Sequence, residues 1–96
     1  MQRSFGYVLC INFKNAIDVN VSDMNSSDPY ILASVSGQTT SMYKTKVMTN
    51  TLNPVWNEEG MIAGLKGSGD VLVLTMFDKD LVGADDFMGQ NVVTLK

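Results

Sequence analysis

Histidine is absent from this 96-residue chain, and cysteine occurs once, at Cys10. Without His there is no His-based catalytic triad and no His-ligated zinc. A single cysteine permits no internal disulfide and suits a reducing compartment. Basic residues are also scarce: seven Lys and Arg stand against ten Asp and Glu, for a net charge of −3. With no basic run and no interleaving of bases with aromatics, nucleic acid is not expected as a partner. An anionic membrane would be repelled as well, unless something neutralises the acids. Residues 6–11 are apolar, but Asn12 and Lys14 end the run too early for a signal peptide or a membrane-spanning helix. Helical periodicity and internal repeats are missing too.

What remains is a chain that is 45% hydrophobic and 18% charged, the balance of one folded domain rather than a disordered segment. Its apolar residues come in short runs separated by Gly, Pro, Asn and Ser. Tyr7, Leu9, Ile11 and Phe13 alternate along a first strand. A polar loop over 14–27 carries Asp18 and Asp23 and closes at Asp28-Pro29, where proline biases Asp28 towards an extended backbone. Strands are predicted over 30–36 and 42–48, the latter with Tyr43, Thr45 and Val47 on one face and Lys44 and Lys46 on the other. Trp56 anchors a fourth strand that starts at Val55, and Gly60, Gly64, Gly67 and Gly69 make the following segment loose. The fifth strand is Val71 to Phe77, and the sixth runs from Asn91 to Leu95. Short strands punctuated in this way indicate an all-β antiparallel sandwich.

The chemistry gathers between the last two strands. Asp78, Asp80, Asp85 and Asp86 fall within nine positions, with Lys79 the only cation among them. On an extended backbone Asp78 and Asp80 share a face, and a loop of six residues can return Asp86 to the same place. Carboxylates gathered without a counter-charge resist ionising together, and a hard divalent cation that takes six to eight oxygens answers that. An EF-hand is the obvious alternative, since Asp78, Asp80 and Gly83 fit its first, third and sixth positions. It fails at Val82, at Gly89 where a bidentate Glu is needed, and in its strand-like flanks. A solvated acidic turn is the plain alternative. The tip, Leu81-Val82-Gly83-Ala84, is uncharged where such a turn would be polar.

At Ser27-Asp28-Pro29-Tyr30, Lys44-Thr45-Lys46-Val47, Thr51-Leu52-Asn53-Pro54-Val55-Trp56-Asn57-Glu58 and Asp78-Lys79-Asp80…Asp86-Phe87-Met88-Gly89, the chain resembles the C2 domain family. The resemblance runs from Tyr7 to Leu95, so that 1–96 is expected to be a single C2-type domain, either truncated or part of a longer protein. It implies a Greek-key sandwich of the C2 type, here short of its last strand or strands, that binds calcium in loops at one edge and docks on phospholipid. The implied metal ligands are Asp23, Asp28, Asp78, Asp80 and Asp86, with backbone carbonyls at Met24 and Lys79, and Asp85 only their neighbour. Leu81, Val82 and Met24 would contact the membrane, and Lys44 and Lys46 a lipid headgroup. The expected protein is cytoplasmic and reversibly bound to membranes in signalling or trafficking. Exposed strand edges invite a homodimer, and a protein partner is the other expectation.

Three features depart from the family. Asp23 and Asp28 are five apart where many members use six, Gly60 replaces a large aromatic and so suggests a thinner core, and the lysine-rich strand is reduced to two lysines. The rivals to calcium-dependent membrane binding are a calcium-independent scaffolding domain and an enzyme using paired carboxylates. The enzyme reading lacks a nucleophile motif and a phosphate-cradling glycine loop.

Overall fold

A computed structural model describes residues 6–17, 27–37 and 42–95. Among these residues there are six strands and no helix: β1 (Tyr7–Asn15), β2 (Pro29–Val35), β3 (Met42–Lys44), β4 (Val55–Leu65), β5 (Val71–Asp78) and β6 (Asp86–Thr94). No helix among them is therefore long and apolar enough to cross a membrane. All pairings are antiparallel. One sheet is the pair β1–β4, and the other has the order β3-β2-β5-β6. The chain crosses between sheets from β1 to β2, from β3 to β4 and from β4 to β5, which is the Greek-key path of an all-β sandwich.

Alternation explains which face each strand buries. Phe13, Trp56, Ile62 and Leu65 from the two-stranded sheet meet Ala33, Val35 and Leu72 from the four-stranded one, all nearly solvent-free. Trp56 is core, as its size suggests, and its indole N–H donates to the Lys46 carbonyl at 3.0 Å. Leu9 and Ile11 line this core alongside Phe13, but Tyr7 does not. A register shift between Tyr7 and Leu9 takes Tyr7 out of phase, and it ends up exposed with its ring close to Gly67.

Several strand limits differ from those predicted, starting with β1, which runs on through Lys14 and Asn15 where the loop is predicted to begin. β3 stops at Lys44 because Thr45 takes over the bonding: its N–H donates to the Ile31 carbonyl and its hydroxyl accepts the Ile31 N–H, both at 2.9 Å. The alternation beyond β3 survives, with Thr45 buried and Lys44 and Lys46 exposed. β4 runs on through Gly60 and Gly64 to Leu65, held by its ladder with β1, and only Gly67 and Gly69 fall in the turn beyond it. β6 begins five residues earlier than Asn91, at Asp86 itself.

The core beside Gly60 is not thin. Tyr43 of β3 lays its ring over that glycine, stacked on Phe13 with centroids 5.5 Å apart, and its hydroxyl donates to Glu58. The aromatic comes from a neighbouring strand instead of from position 60.

Two strands cannot roof four. On the β6 side an open groove of about 440 Å³ runs between 15–17 of the first strand's end and Ile31, Leu74, Met76 and 88–91. Val93 of β6, opposite core Leu72, stays 42% exposed there, whereas Phe87 and Val92, at 63% and 55%, lie on the outer face with Phe77 and Val73. Among the described residues β1 and β6 each pair on one side only.

Gly60 generates a direct test. A Cβ built there would lie 2.6 Å from the Tyr43 ring, close to its anchored end, so the ring must leave its place on Phe13. Gly60→Ala should cost about 1–3 kcal/mol by overpacking, read as a lower urea midpoint with unchanged slope. An unchanged midpoint would refute this packing.

Candidate metal centre

The end of the sandwich where β2 starts, β5 ends and β6 begins is set by ladder register. Pro29 pairs with Asp78, and Asp78 with Asp86. A register irregularity between Met76 and Phe77 lies just before the loop, where bulges commonly re-aim side chains. These pairings bring Asp28, Asp78 and Asp86 to one mouth. With Asp80, Ser27, Asn50, Lys79 and Leu81 they line a cleft of about 300 Å³.

Four of the five sequence-predicted carboxylates therefore share one cleft. Asp23 and Met24 lie outside the described residues. Asp78 is buried at 4% exposure, and its Oδ1 accepts the Asp28 N–H at 2.9 Å. The Asp28 carbonyl in turn accepts the Lys79 N–H at 2.9 Å, and its Oδ1 accepts the Asn50 N–H at 2.6 Å. Sequence reasoning does not single out Asn50. It sits at φ 56°, a left-handed conformation that Asn tolerates, and the turn composition of 49–54 is the only available signal. Ser27 is buried beside it, bonded both ways to Thr51.

The donor set is all hard oxygen and suits a calcium-like ion. Among the described residues, however, no three acidic side chains close on a single point. Asp28 and Asp78 each engage an oxygen with a backbone N–H and offer the remainder to the cleft.

Asp85 stands apart. It is absent from the cleft lining, and its carboxylate is turned back into the protein. Oδ1 accepts the Asp80 N–H at 2.9 Å and lies 3.9 Å from the Lys79 ammonium, while Oδ2 accepts the Tyr30 hydroxyl. The Asp80 N–H first and the Tyr30 hydroxyl second hold the Asp85 carboxyl below its usual range against the opposing effect of burial, with lesser help from the Lys79 and Lys44 charges. Tyr30 is pushed up to about 12, first by burial, then by donating to Asp85 and by that carboxylate's charge. Its ring stacks on Phe77 at 5.6 Å, and Lys44 Nζ lies 4.6 Å above its centre.

Beyond the carboxylates, Leu81 and Val82 project with 96% and 84% of their surface exposed. Leu81 does not fold back under the loop. Lys44 and Lys46 lie on the exposed side of the β3 segment, away from the core.

Comparison with known proteins gives a consistent result. The family model described as the C2 domain matches residues 7–96. Protein C2-DOMAIN ABA-RELATED 11 of Arabidopsis thaliana is 45% identical over 76 residues, covering 79% of this chain and 43% of that protein. Tricalbin-1 of Saccharomyces cerevisiae is 39% identical over 88 residues, covering 91% of this chain and 7% of that protein. A C2 domain of plant extended synaptotagmin 1 superposes with a TM-score of 0.83 at 28% identity, covering 97% of this chain and 71% of that one. The chain thus spans less than half the length of the first of these relatives.

The shifted groups predict a pH response. Tyr30 keeps its proton in the folded protein up to about pH 12, whereas an unfolded tyrosine loses it near 10. Between those values the unfolded state binds fewer protons, so stability falls as pH rises, by at most about 1.4 kcal/mol per pH unit for one proton. Denaturant melts in chelator at pH 9 and pH 11.5 should show a smaller drop for Tyr30→Phe than for the parent. An equal drop would refute the raised value.

Proposed function

The chain belongs to the C2 domain family, and from that membership we propose that it is a calcium-dependent phospholipid-binding module with no chemistry of its own. The observation that carries this reading is the joint geometry of one end. Asp28, Asp78, Asp80 and Asp86 line a single cleft, and directly beyond them Leu81 and Val82 stand almost wholly in solvent. We assign Asp23, Asp28, Asp78, Asp80 and Asp86 as calcium ligands, with backbone carbonyls of Met24 and Lys79 completing the shells. Calcium, when bound, supplies positive charge and open positions for a phosphate oxygen. Five carboxylates with two such ions leave about −1 in place of −5, so a rim that repels anionic lipid ceases to do so. Leu81 and Val82, with Met24, then enter the apolar edge of the bilayer, where full burial of the first two would contribute roughly 3–6 kcal/mol and partial immersion about half. Lys44 and Lys46 are the candidate headgroup contacts. The association is peripheral and reversible, because two side chains anchor far less than a membrane-spanning segment does.

A homodimer is proposed on a separate observation, the edges of β1 and β6 that pair with no strand among the described residues, beside the open apolar groove. Light scattering of the chain at micromolar concentration should give twice the monomer mass. A well-behaved monomer with a high melting temperature would sink this association.

Vesicle sedimentation tests the membrane reading. The parent should bind anionic vesicles in calcium and be released by chelator, and Asp80→Asn should require more calcium for the same binding. Leu81→Ala with Val82→Ala should keep ion binding in solution while weakening vesicle binding about tenfold or more, on uncharged lipid as well. Binding that ignores chelator would favour the scaffolding alternative, and a double variant that binds as tightly as the parent would end the insertion idea.

A further inference from the structure

We propose that Asp85 is a positioning residue: through Tyr30 it holds the loop between β5 and β6 in the shape that sets the ion affinity of the cleft, without itself touching the ion. This deepens the calcium reading and rests on it. Asp85 adjoins Asp86 in sequence, and its side chain is only 17% exposed. A carboxylate facing an ion-binding cleft would direct lone pairs into it. Those of Asp85 are directed to the Asp80 N–H and the Tyr30 hydroxyl, with Lys79 alongside.

The anchor on the far side is rigid. Tyr30 belongs to β2, an inner strand of the four-stranded sheet, and is 6% exposed. Phe77 on one neighbouring strand and Lys44 on another hold its ring. The Tyr30–Asp85–Asp80 sequence of bonds therefore ties the middle of the sheet to the loop residue that must present a carboxylate to the cleft. Loose, the segment 79–85 would have to be ordered by the ion itself, at a cost of backbone entropy for each residue. Tied, it presents Asp80 and Asp86 in advance, and preorganisation of that kind raises affinity without adding a contact.

The test compares Tyr30→Phe, Asp85→Asn and the two combined, with terbium and calcium as probe ions. Tyr30→Phe leaves every carboxylate in place, yet should weaken binding about tenfold, close to the lower end of what one hydrogen bond to a charged group contributes. Asp85→Asn should weaken it by a similar factor, and the combination by little more than either alone, with the number of bound ions unchanged throughout. Val35→Ala, destabilising in the core at the end of β2 away from the cleft, should leave affinity as it is and so controls for general loss of fold. Hydrogen exchange in chelator adds a reading without metal: the Asp80 amide should be protected in the parent and exchange faster in both single variants. Additive losses, or a lost ion with Asp85→Asn, would make Asp85 a ligand and overturn the proposal. So would an Asp80 amide that exchanges equally in parent and variants. A parent that binds neither ion would overturn the calcium reading itself, whereas a parent that binds with additive variants would overturn only the positioning role.

Discussion

The pairing of β2 with β5 is the constraint on which the rest depends. Seven consecutive residue pairs, from Pro29 opposite Asp78 to Val35 opposite Leu72, run down the middle of the larger sheet. A slip of one residue would exchange faces. Either Ala33 and Val35 of β2 would leave the core and Tyr30 enter it, or Leu72 of β5 would leave and Phe77 enter, because a slip turns one strand over against the other. Burial of the inward set and the Tyr30–Phe77 stack on the outward set lock the same register from both sides. Once that register is locked, Asp28 stands next to Asp78 with no further choice, and the Asp28 N–H is within reach of the Asp78 carboxylate. The core thus sets the geometry of the acidic end.

The same logic reaches the loop. β6 follows β5 back through Asp86 opposite Asp78, so the ends of the loop are fixed by two ladder partners and its interior by Asp85. Two neighbouring aspartates then have different surroundings because the backbone turns them opposite ways. Asp86 faces the cleft, and Asp85 faces the sheet. Acidity alone does not tell the two apart: Asp85 is committed to the Asp80 N–H and the Tyr30 hydroxyl, and Asp86 lines the cleft.

This division explains what is legible in the sequence. Strands 30–36 and 71–77 read correctly, the first from its alternation and the second from an unbroken apolar run, because both faces of each are occupied. Trp56 reads correctly because little besides the core accommodates so large an apolar surface. Four carboxylates of the cleft are legible from spacing and family resemblance. The glycine-rich stretch reads as loose because propensity penalises glycine in a strand, whereas tertiary context uses Gly60 to admit Tyr43. The end of β3 is hidden because a threonine hydroxyl replaces a ladder partner, a substitution that no periodicity shows. Asn50 and the orientation of Asp85 are hidden for a related reason: both depend on contacts between residues 22 and 55 positions apart.

The polarity of the loop is inverted relative to an ordinary surface turn. Its acidic side chains are directed inward to the cleft or the sheet, and its two large apolar side chains are directed outward. In water alone this arrangement is costly twice over, since like charges are gathered and Leu81 and Val82 are left unburied. Both costs fall if the loop works between a cation on one side and a non-aqueous phase on the other. Neither partner removes both. A cation alone leaves the apolar tip in water, and an apolar phase alone meets uncompensated carboxylates beneath its surface. The inverted loop is therefore an argument for the two partners acting together, which is why the proposed membrane binding is tied to calcium rather than added to it.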